Sequence, residues 1–469
     1  MSMTFIHFAF LVATVALALG LGARAGRKTR TAEGFSLGGR SSGAGVVAGG
    51  IAGTVIGGAA TIGTAQLAYS IGLSGWWFTL GSGIGFLIIG TFYARPLRHS
   101  GLETVSQYLA RTYGPAAGPI ASLASSLGIL FSAVASALAA IPMIAAMTGL
   151  SPLVSAVAIV VLVVAMVAFG GLRSAGVAGL FKMLVLWTTL FAAGGMAVVT
   201  LNGLPDFSQR FPEMPWFSLF GRGVWQSLGN VFSLIVGIIC TQTYIQALYA
   251  ASDSRTAAVG AYTAAAITIP VGLPSVAVGM AMHVLHPEIA PILALPMYLV
   301  EALPAPVAGI AIGGLMLSVV GSIAGLTLGI GTMMSRDIGQ AVLGLSRDRD
   351  ILRLNRACVV AVTIVAAWIA LTHLDSYVLD WNYMSMALRG AGLFLPLTLA
   401  VFAPGRLPPA WGIWAMALAT IAAVGSKLVP GFAVAPLYAG LVTSAVVVGT
   451  GLVIGNLRRT QPPVQPRDL

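Results

Sequence analysis

Charged residues are almost absent from the interior of the long apolar segments of this 469-residue chain. Among its 24 Lys and Arg and 13 Asp and Glu, only Lys182 and Arg389 lie well inside such a segment, away from its ends. Each segment is long enough to cross a bilayer, where a charge is costly and usually functional. The pattern therefore predicts an all-α polytopic membrane protein, and the two buried cations are its first functional candidates.

We predict about 13 transmembrane helices from the lengths of these segments. They span residues 4–23, 43–71, 73–95, 118–148, 151–170, 176–201, 226–247, 258–283, 304–333, 355–373, 380–403, 409–429 and 432–456. The first apolar run is followed by basic residues, not preceded by them, so we expect a retained helix and not a signal peptide. With the N-terminus outside, the Lys and Arg of the connections lie on the cytoplasmic side, and the exceptions are Arg210, Arg222 and Lys427. This asymmetry places the N-terminus outside and the C-terminus in the cytoplasm.

The composition excludes several classes of function. With 58% hydrophobic and 8% charged residues, the chain has no room for a soluble catalytic domain. Its net charge of +11 is explained by cytoplasmic loops, so no nucleic acid is expected as a partner. An intramembrane enzyme is disfavoured because no Asp or Glu lies well inside a span, and no obligate protein partner is evident. Cys240 and Cys358 lie in apolar segments, which suggests neither a disulfide nor a metal site.

Two of the predicted spans are unusually rich in glycine, 43–71 and 304–333. The first also contains Thr61, Thr64 and Gln66. Glycine weakens helices, and unwound backbone is tolerated at membrane depth only where it lines a cavity inside the protein. We therefore predict that both helices are broken and that they meet at a binding site midway through the membrane. The alternative is that the glycines only allow close helix packing.

Several stretches, in chain order, resemble the sodium:solute symporter family. They are AEGFSLGGR at 32–40, GLETVSQYLARTYG at 101–114, GGL at 170–172, QALYAAS at 246–252, LP at 303–304 and SRDI at 335–338. The resemblance implies the leucine-transporter fold, whose core is two inverted repeats of five helices. It also implies a secondary active transporter that imports a small solute by alternating access, coupled to sodium.

This fold divides the chain into five parts. We expect an accessory helix with a basic loop, the two inverted repeats, a pair of accessory helices and a cytoplasmic tail, at residues 1–30, 43–201, 226–403, 409–456 and 457–469. A channel or a receptor built on the same fold is the alternative from another class. We expect a bacterial or archaeal inner membrane, with the lipid bilayer as its environment.

The resemblance also implies a sodium site between the broken first core helix and the eighth core helix. The matching positions, which would supply carbonyl and hydroxyl oxygens, are Gly53, Ile56, Ser318, Gly321 and Ser322. Two departures from the family pattern concern this site. Gly321 stands where a hydroxyl residue is usual, and Gly179 and Lys182 stand where the family usually has Asp and Gln.

These departures suggest a second possibility for the coupling ion. An ammonium in the membrane interior must pair with carbonyl dipoles or lose its proton. If Lys182 faces the predicted site, its amine takes the place of sodium and the protein is a proton-coupled, sodium-independent symporter. Alternatively, Lys182 snorkels to the membrane surface, because it is only the seventh residue of its span. Sodium stays the first expectation; the coupling ion, Na⁺ or H⁺, is the only cofactor expected, and no other metal is.

Polar groups in the spans suggest where the solute binds. Thr241, Gln242 and Thr243 lie midway along the sixth core helix, which the family unwinds at its solute site. The guanidinium of Arg389 suits a carboxylate, so an amino acid or organic acid is the expected solute. The alternative is a structural clamp. The predicted solute-binding residues are Thr61, Thr64, Gln66, Thr241, Gln242 and Arg389.

Overall fold

The computed structural model describes residues 3–26, 40–168, 171–201, 203, 209–428 and 434–460, which are mostly helical. The helices are α1 Phe5–Gly26, α2 Ala44–Val55, α3 Thr64–Ile71, α4 Trp77–Ile88, α5 Ala94–His99, α6 Val105–Tyr113, α7 Ala117–Thr148, α8 Pro152–Ala168, α9 Gly171–Thr200, α10 Val224–Ile239, α11 Gln242–Tyr249, α12 Ser254–Leu285, α13 Ala294–Ala302, α14 Ala305–Met333, α15 Asp348–Leu371, α16 Val378–Phe402, α17 Pro409–Leu428 and α18 Pro436–Thr460. The end of the N-terminal basic loop, the matching stretch at 32–39, Gly170 and the tail from 461 lie outside the described residues.

The predicted all-α polytopic architecture is confirmed. Within the described ranges, 11 helical segments are long and apolar enough to cross a membrane. The predicted second span is divided into α2 and α3, and the predicted fifth span, α8, has 17 residues. The total of 13 crossings and the boundaries of the two repeats therefore stay predictions.

The predicted break in the first glycine-rich span is confirmed. Helix α2 ends at Val55, and Ile56 leaves the helical region with φ −80° and ψ 75°. The chain then makes a π-helical turn at Ala59–Gly63 before α3 begins. Gly57 lies directly against Ser322 of α14, because a Cβ at Gly57 would overlap the Ser322 side chain. The break is thus held in close contact with α14.

The predicted break in 304–333 is wrong. Helix α14 is continuous over 29 residues and passes directly into a π-helical turn, Met334–Gln340. Its glycines serve close packing: a Cβ at Gly309 would lie 2.5 Å from the carbonyl oxygen of His7, and one at Gly314 would lie 2.7 Å from Val185 Cγ1. A second broken helix lies elsewhere, where Cys240 and Thr241 separate α10 from α11.

We expect Gly57→Ala to destabilise the protein by about 1–3 kcal/mol, because the added methyl overpacks the contact between the break and α14. Thermal unfolding in detergent measures this effect. Gly195→Ala is the matched control, since Gly195 lies in helix α9 and a Cβ added there would meet no atom within 4 Å. Adding Ser322→Gly to Gly57→Ala should restore much of the lost stability, and failure of that rescue would contradict the packing explanation.

Candidate functional site

The break after α2 exposes main-chain oxygens toward α14. The Ser318 hydroxyl donates a hydrogen bond to the Ile56 carbonyl at 2.7 Å, and the Ser322 hydroxyl donates to the Thr54 carbonyl at 2.7 Å. Both serines are buried. Because the last carbonyls of a helix lack intrahelical partners, side chains of the neighbouring helix satisfy them here. One turn of α14 therefore holds the broken end of α2.

A third partner at the break is the amine of Lys182, on helix α9. Its Nζ donates to the Gly53 carbonyl at 2.5 Å and to the Ser318 carbonyl at 3.2 Å. The Gly53 carbonyl is accessible because the Gly57 amide donates to Val55, two residues earlier, at 2.9 Å. The lysine side chain is only 2% exposed, which contradicts the alternative that it snorkels to the surface.

Glycines bring α9 close enough for this contact. A Cβ at Gly179 would lie 2.8 Å from the carbonyl oxygen of Gly49, so only glycine fits without displacing the backbone of α2. On the other side, a Cβ at Gly321 would lie 3.6 Å from the amine of Lys182. The two glycines that depart from the family pattern therefore border the space that the lysine occupies.

The second buried cation lies at the other helix break. Arg389 of α16 is 0% exposed. Its Nη1 donates to Thr241 Oγ1 at 2.7 Å, and its Nη2 donates to Ser132 Oγ at 2.7 Å and to Ser385 Oγ at 2.5 Å. These acceptors are all neutral hydroxyls. Ser132 and Ser385 are absent from the predicted set, and their only signal in the sequence is a serine midway along an apolar helix.

Comparison with known proteins identifies the family. The profile of the sodium:solute symporter family matches residues 35–417. The chain belongs to this family. High affinity choline transporter 1 of Mus musculus is 28% identical to the chain over 265 residues, which cover 54% of the chain and 45% of the mouse protein. The Torpedo marmorata protein is 28% identical over 261 residues, covering 53% and 43%. The chain spans a little under half the length of these relatives.

Two solved structures establish the fold. A Na⁺-coupled sialic acid symporter in a substrate-bound, outward-open state has a TM-score of 0.83 at 17% identity, covering 99% of this chain and 100% of that chain. A nucleobase-cation-symport-1 family transporter in a closed conformation has a TM-score of 0.59 at 14% identity, covering 94% and 97%. The leucine-transporter fold is therefore confirmed. The chain is a multi-pass membrane protein with this fold.

Three carbonyl oxygens at the positions that the resemblance assigns to sodium accept hydrogen bonds from side chains. Lys182 donates to the carbonyls of Gly53 and Ser318, and the Ser318 hydroxyl donates to that of Ile56. The hydroxyl of Ser322, which is also assigned to sodium, donates to the carbonyl of Thr54. Gly321 supplies no side-chain oxygen. The Lys182 amine is therefore bonded to two of the carbonyls that the resemblance assigns to sodium.

The side chains of the two glutamines predicted to bind solute are hydrogen-bonded to backbone and not to Arg389. Gln66 Oε1 accepts from the amide of Val378 at 3.0 Å and so holds the start of α16. Gln242 Oε1 accepts from the amide of Val105 at 2.9 Å and so holds the start of α6. Each amide side chain is buried and holds the start of a helix.

The predicted threonines divide into two groups. Thr61 and Thr64 donate to carbonyls within the break, at Gly57 and Ala59, with distances of 2.9 and 3.1 Å. Thr241 alone of the predicted set contacts Arg389. Among the described contacts, the bond from Arg389 to Thr241 is the one side-chain hydrogen bond that joins two of the six predicted solute residues.

Proposed function

We propose that this symporter is driven by protons and imports a solute that carries a carboxylate. In this proposal the amine of Lys182 carries the coupling proton in the place of sodium, and Arg389 binds the solute carboxylate. The observation that carries the proposal is the position of the Lys182 amine, hydrogen-bonded to carbonyls of both α2 and α14. We also propose a bacterial or archaeal inner membrane, with the N-terminus outside, from the distribution of basic residues.

The hydrogen-bonding capacity of an amine at the position of Lys182 suits proton coupling. Two carbonyls accept two N–H bonds, which is all that a neutral amine donates, whereas an ammonium has a third. Protonation of the Lys182 amine therefore adds a positive charge and a third N–H donor between the break and α14. Because this charge lies where the break contacts α14, it is placed to bias the position of these helices during alternating access.

The buried guanidinium supports an anionic solute. All of the hydrogen-bond acceptors around Arg389 described above are neutral, so its charge is not balanced there, and a carboxylate is the group that a guanidinium binds best. By their names, the two relatives above transport choline, a quaternary ammonium, whereas the sialic acid symporter carries an acid. A positive solute beside Arg389 would be repelled, which favours the acid.

Sodium coupling is the second candidate. The observation that favours it is membership of a family named for sodium coupling, with a match from residue 35 to 417. In that case Lys182 would have to leave the carbonyls of Gly53 and Ser318 before sodium binds. The two candidates therefore make opposite predictions for uptake without sodium.

Uptake into proteoliposomes under separately imposed gradients tests the proposal. The labelled probes are acetate, pyruvate, lactate, succinate, alanine and glutamate, with choline as the cationic contrast. We expect at least one carboxylate to accumulate under a pH gradient, acid outside, in sodium-free buffer, and choline not to accumulate. Accumulation that requires a sodium gradient at equal pH would instead establish the second candidate.

A further inference from the structure

An open groove lies at the ends of the spans that we propose to be cytoplasmic, between α5, α6 and the end of α16. Its volume is about 510 Å³, within the range of about 300–1,000 Å³ that is usual for small-ligand sites. The end of α16 forms an apolar wall. The opposite wall is polar and contains His99, Ser100, Tyr108, Arg111 and Thr112.

Two tyrosines hold the walls of this groove together. Tyr93, directly before α5, shares a hydrogen bond with Thr398 of α16, and their hydroxyl oxygens lie 2.9 Å apart. Tyr113, the last residue of α6, donates to the carbonyl of Pro396 in α16 at 2.8 Å. Both tyrosines are buried. The groove is therefore formed in the absence of a ligand, and a ligand does not have to order these helices when it binds.

Arg111 is the cation that the polar wall presents. It lies in the last turn of α6 and is exposed. Its Nη1 donates a long hydrogen bond to the Ser100 carbonyl at 3.5 Å, and none of the ion pairs among the described residues involves it. A guanidinium has five N–H donors, so most of those of Arg111 are available to an anion. Among the described residues that line the groove, none is acidic.

The surface around the groove is also basic. His99 lines the groove, and Arg95 lies one turn earlier on α5 and is exposed. Two acids of the neighbouring connections are already engaged. Glu103 binds Arg336 at 2.9 Å, and Asp253 caps the start of α12. An anionic ligand therefore complements the charge of this surface.

Exposed aromatic residues show where lipid chains meet the groove. Phe402 follows the lining residue Val401, is 53% exposed, and has its ring centre 5.3 Å from that of Tyr93. Phe92 is 54% exposed. Both phenylalanines belong to segments that are apolar enough to cross a membrane, so lipid chains cover them. A ligand in the groove therefore lies beside acyl chains, which favours a lipid over a free anion.

We propose that this groove binds the headgroup of an anionic phospholipid, with its phosphate on Arg111 and its acyl chains along Phe92 and Phe402. A guanidinium binds phosphate oxygens through two parallel N–H bonds. The bound lipid joins α5, α6 and α16, and so stabilises the connection whose Glu103 binds Arg336 beyond the end of α14. This inference depends neither on the coupling ion nor on the solute.

Native mass spectrometry of the full chain in a neutral detergent tests the site, because it gives an apparent Kd for each added lipid. The probes are phosphatidylglycerol, which carries a net negative charge, and phosphatidylcholine with the same acyl chains, which does not. We expect phosphatidylglycerol to bind more tightly. Arg111→Gln should weaken its binding at least about tenfold, since hydrogen bonds to a charged group are lost. The matched control is Arg349→Gln, an exposed arginine of α15 that does not line the groove.

Val401→Trp separates the groove from the general surface charge. The indole fills the space beside α16 and leaves every cation in place, so it should weaken phosphatidylglycerol binding as Arg111→Gln does. Arg111 is exposed, so its variant should keep the wild-type Tm without lipid, and it decides alone if Val401→Trp does not fold. Equal Kd values for the two lipids, unchanged phosphatidylglycerol binding in Arg111→Gln or in a folded Val401→Trp, or equal weakening in Arg349→Gln overturns the proposal.

Thermal unfolding in the same detergent distinguishes a lipid from free phosphate. Phosphatidylglycerol should raise the Tm of the wild type by at least about 2 °C, because a ligand that binds the folded protein stabilises it. Inorganic phosphate at the same concentration should leave the Tm unchanged, because it has no acyl chains to place along the phenylalanines. An equal rise with phosphate would identify a free anion as the occupant and overturn the lipid site.

Discussion

Replacing Lys182 with Gln is expected to reduce proton-driven net uptake to the level of vesicles without protein. Glutamine keeps a donor for the carbonyls of Gly53 and Ser318, to which the lysine amine donates at 2.5 and 3.2 Å. It cannot take up or release a proton near neutral pH. The variant therefore separates the hydrogen bonds from the titratable charge, and uptake under an imposed pH gradient measures the difference.

Lys182→Arg provides the complementary test. Arginine keeps a positive charge and donors for the same carbonyls, but its guanidinium does not release its proton in proteins. If the lysine only balanced the carbonyl dipoles, the charged arginine would preserve transport better than the neutral glutamine. If the lysine carries the proton, both variants lose net uptake. Sodium-dependent uptake at the wild-type rate in Lys182→Gln would refute proton coupling.

The sequence predicts the helical architecture well because the bilayer imposes it. Only a helix satisfies the backbone hydrogen bonds of such an apolar segment in lipid. The lengths of the segments and their lack of charge were therefore sufficient to predict the helices. Glycine content was a weaker guide. The same enrichment accompanies a break at Ile56–Gly58 and a continuous helix in α14, because a glycine that admits a neighbouring helix and one that allows unwinding look identical in sequence.

The site was only partly predictable, for a related reason. The intramembrane cations could be identified from the cost of burying charge, and one of them, Lys182, lies at the carbonyls to which the resemblance pointed. Residue type alone did not show which polar residues of the broken helices hold backbone and which line a cavity. Gln242 and Thr243 are adjacent, yet one fixes the backbone before α6 and the other lines a small cavity beside Lys182. Which side chain faces which space depends on tertiary packing.

Replacing Arg389 is the second change with a large expected effect. If its guanidinium binds the solute carboxylate, Arg389→Met removes a buried charged partner, which costs about 2–5 kcal/mol of binding. That corresponds to affinity weakened roughly 30-fold to more than 1,000-fold. The measurement is the Kd of the transported carboxylate compared with that of its uncharged amide. The wild type should prefer the acid, and the variant should lose this preference.

Stability distinguishes this role from that of a structural clamp. Arg389 is a buried charge among neutral hydroxyls, and removing such a charge is often neutral or stabilising when an apolar side chain fills its place. The hydroxyls keep other partners, since Ser132 and Ser385 lie 2.7 Å apart and Thr241 donates to Gly237 at 2.6 Å. We therefore expect Arg389→Met to keep or raise the Tm in detergent.

A clamp predicts the reverse, because its loss would separate α7 and α16 from Thr241, which lies between α10 and α11. The control is Arg353→Gln, an exposed arginine beside Asp350, which should change neither the Tm nor the preference for the acid. A markedly lower Tm in Arg389→Met, with the acid still bound in preference to its amide, would assign the arginine to the scaffold. A retained Tm with lost preference for the acid would mean that packing holds the helices together and that the charge of Arg389 serves solute binding. The physical reason is that an unbalanced buried cation stabilises the empty protein least and the acid-bound protein most.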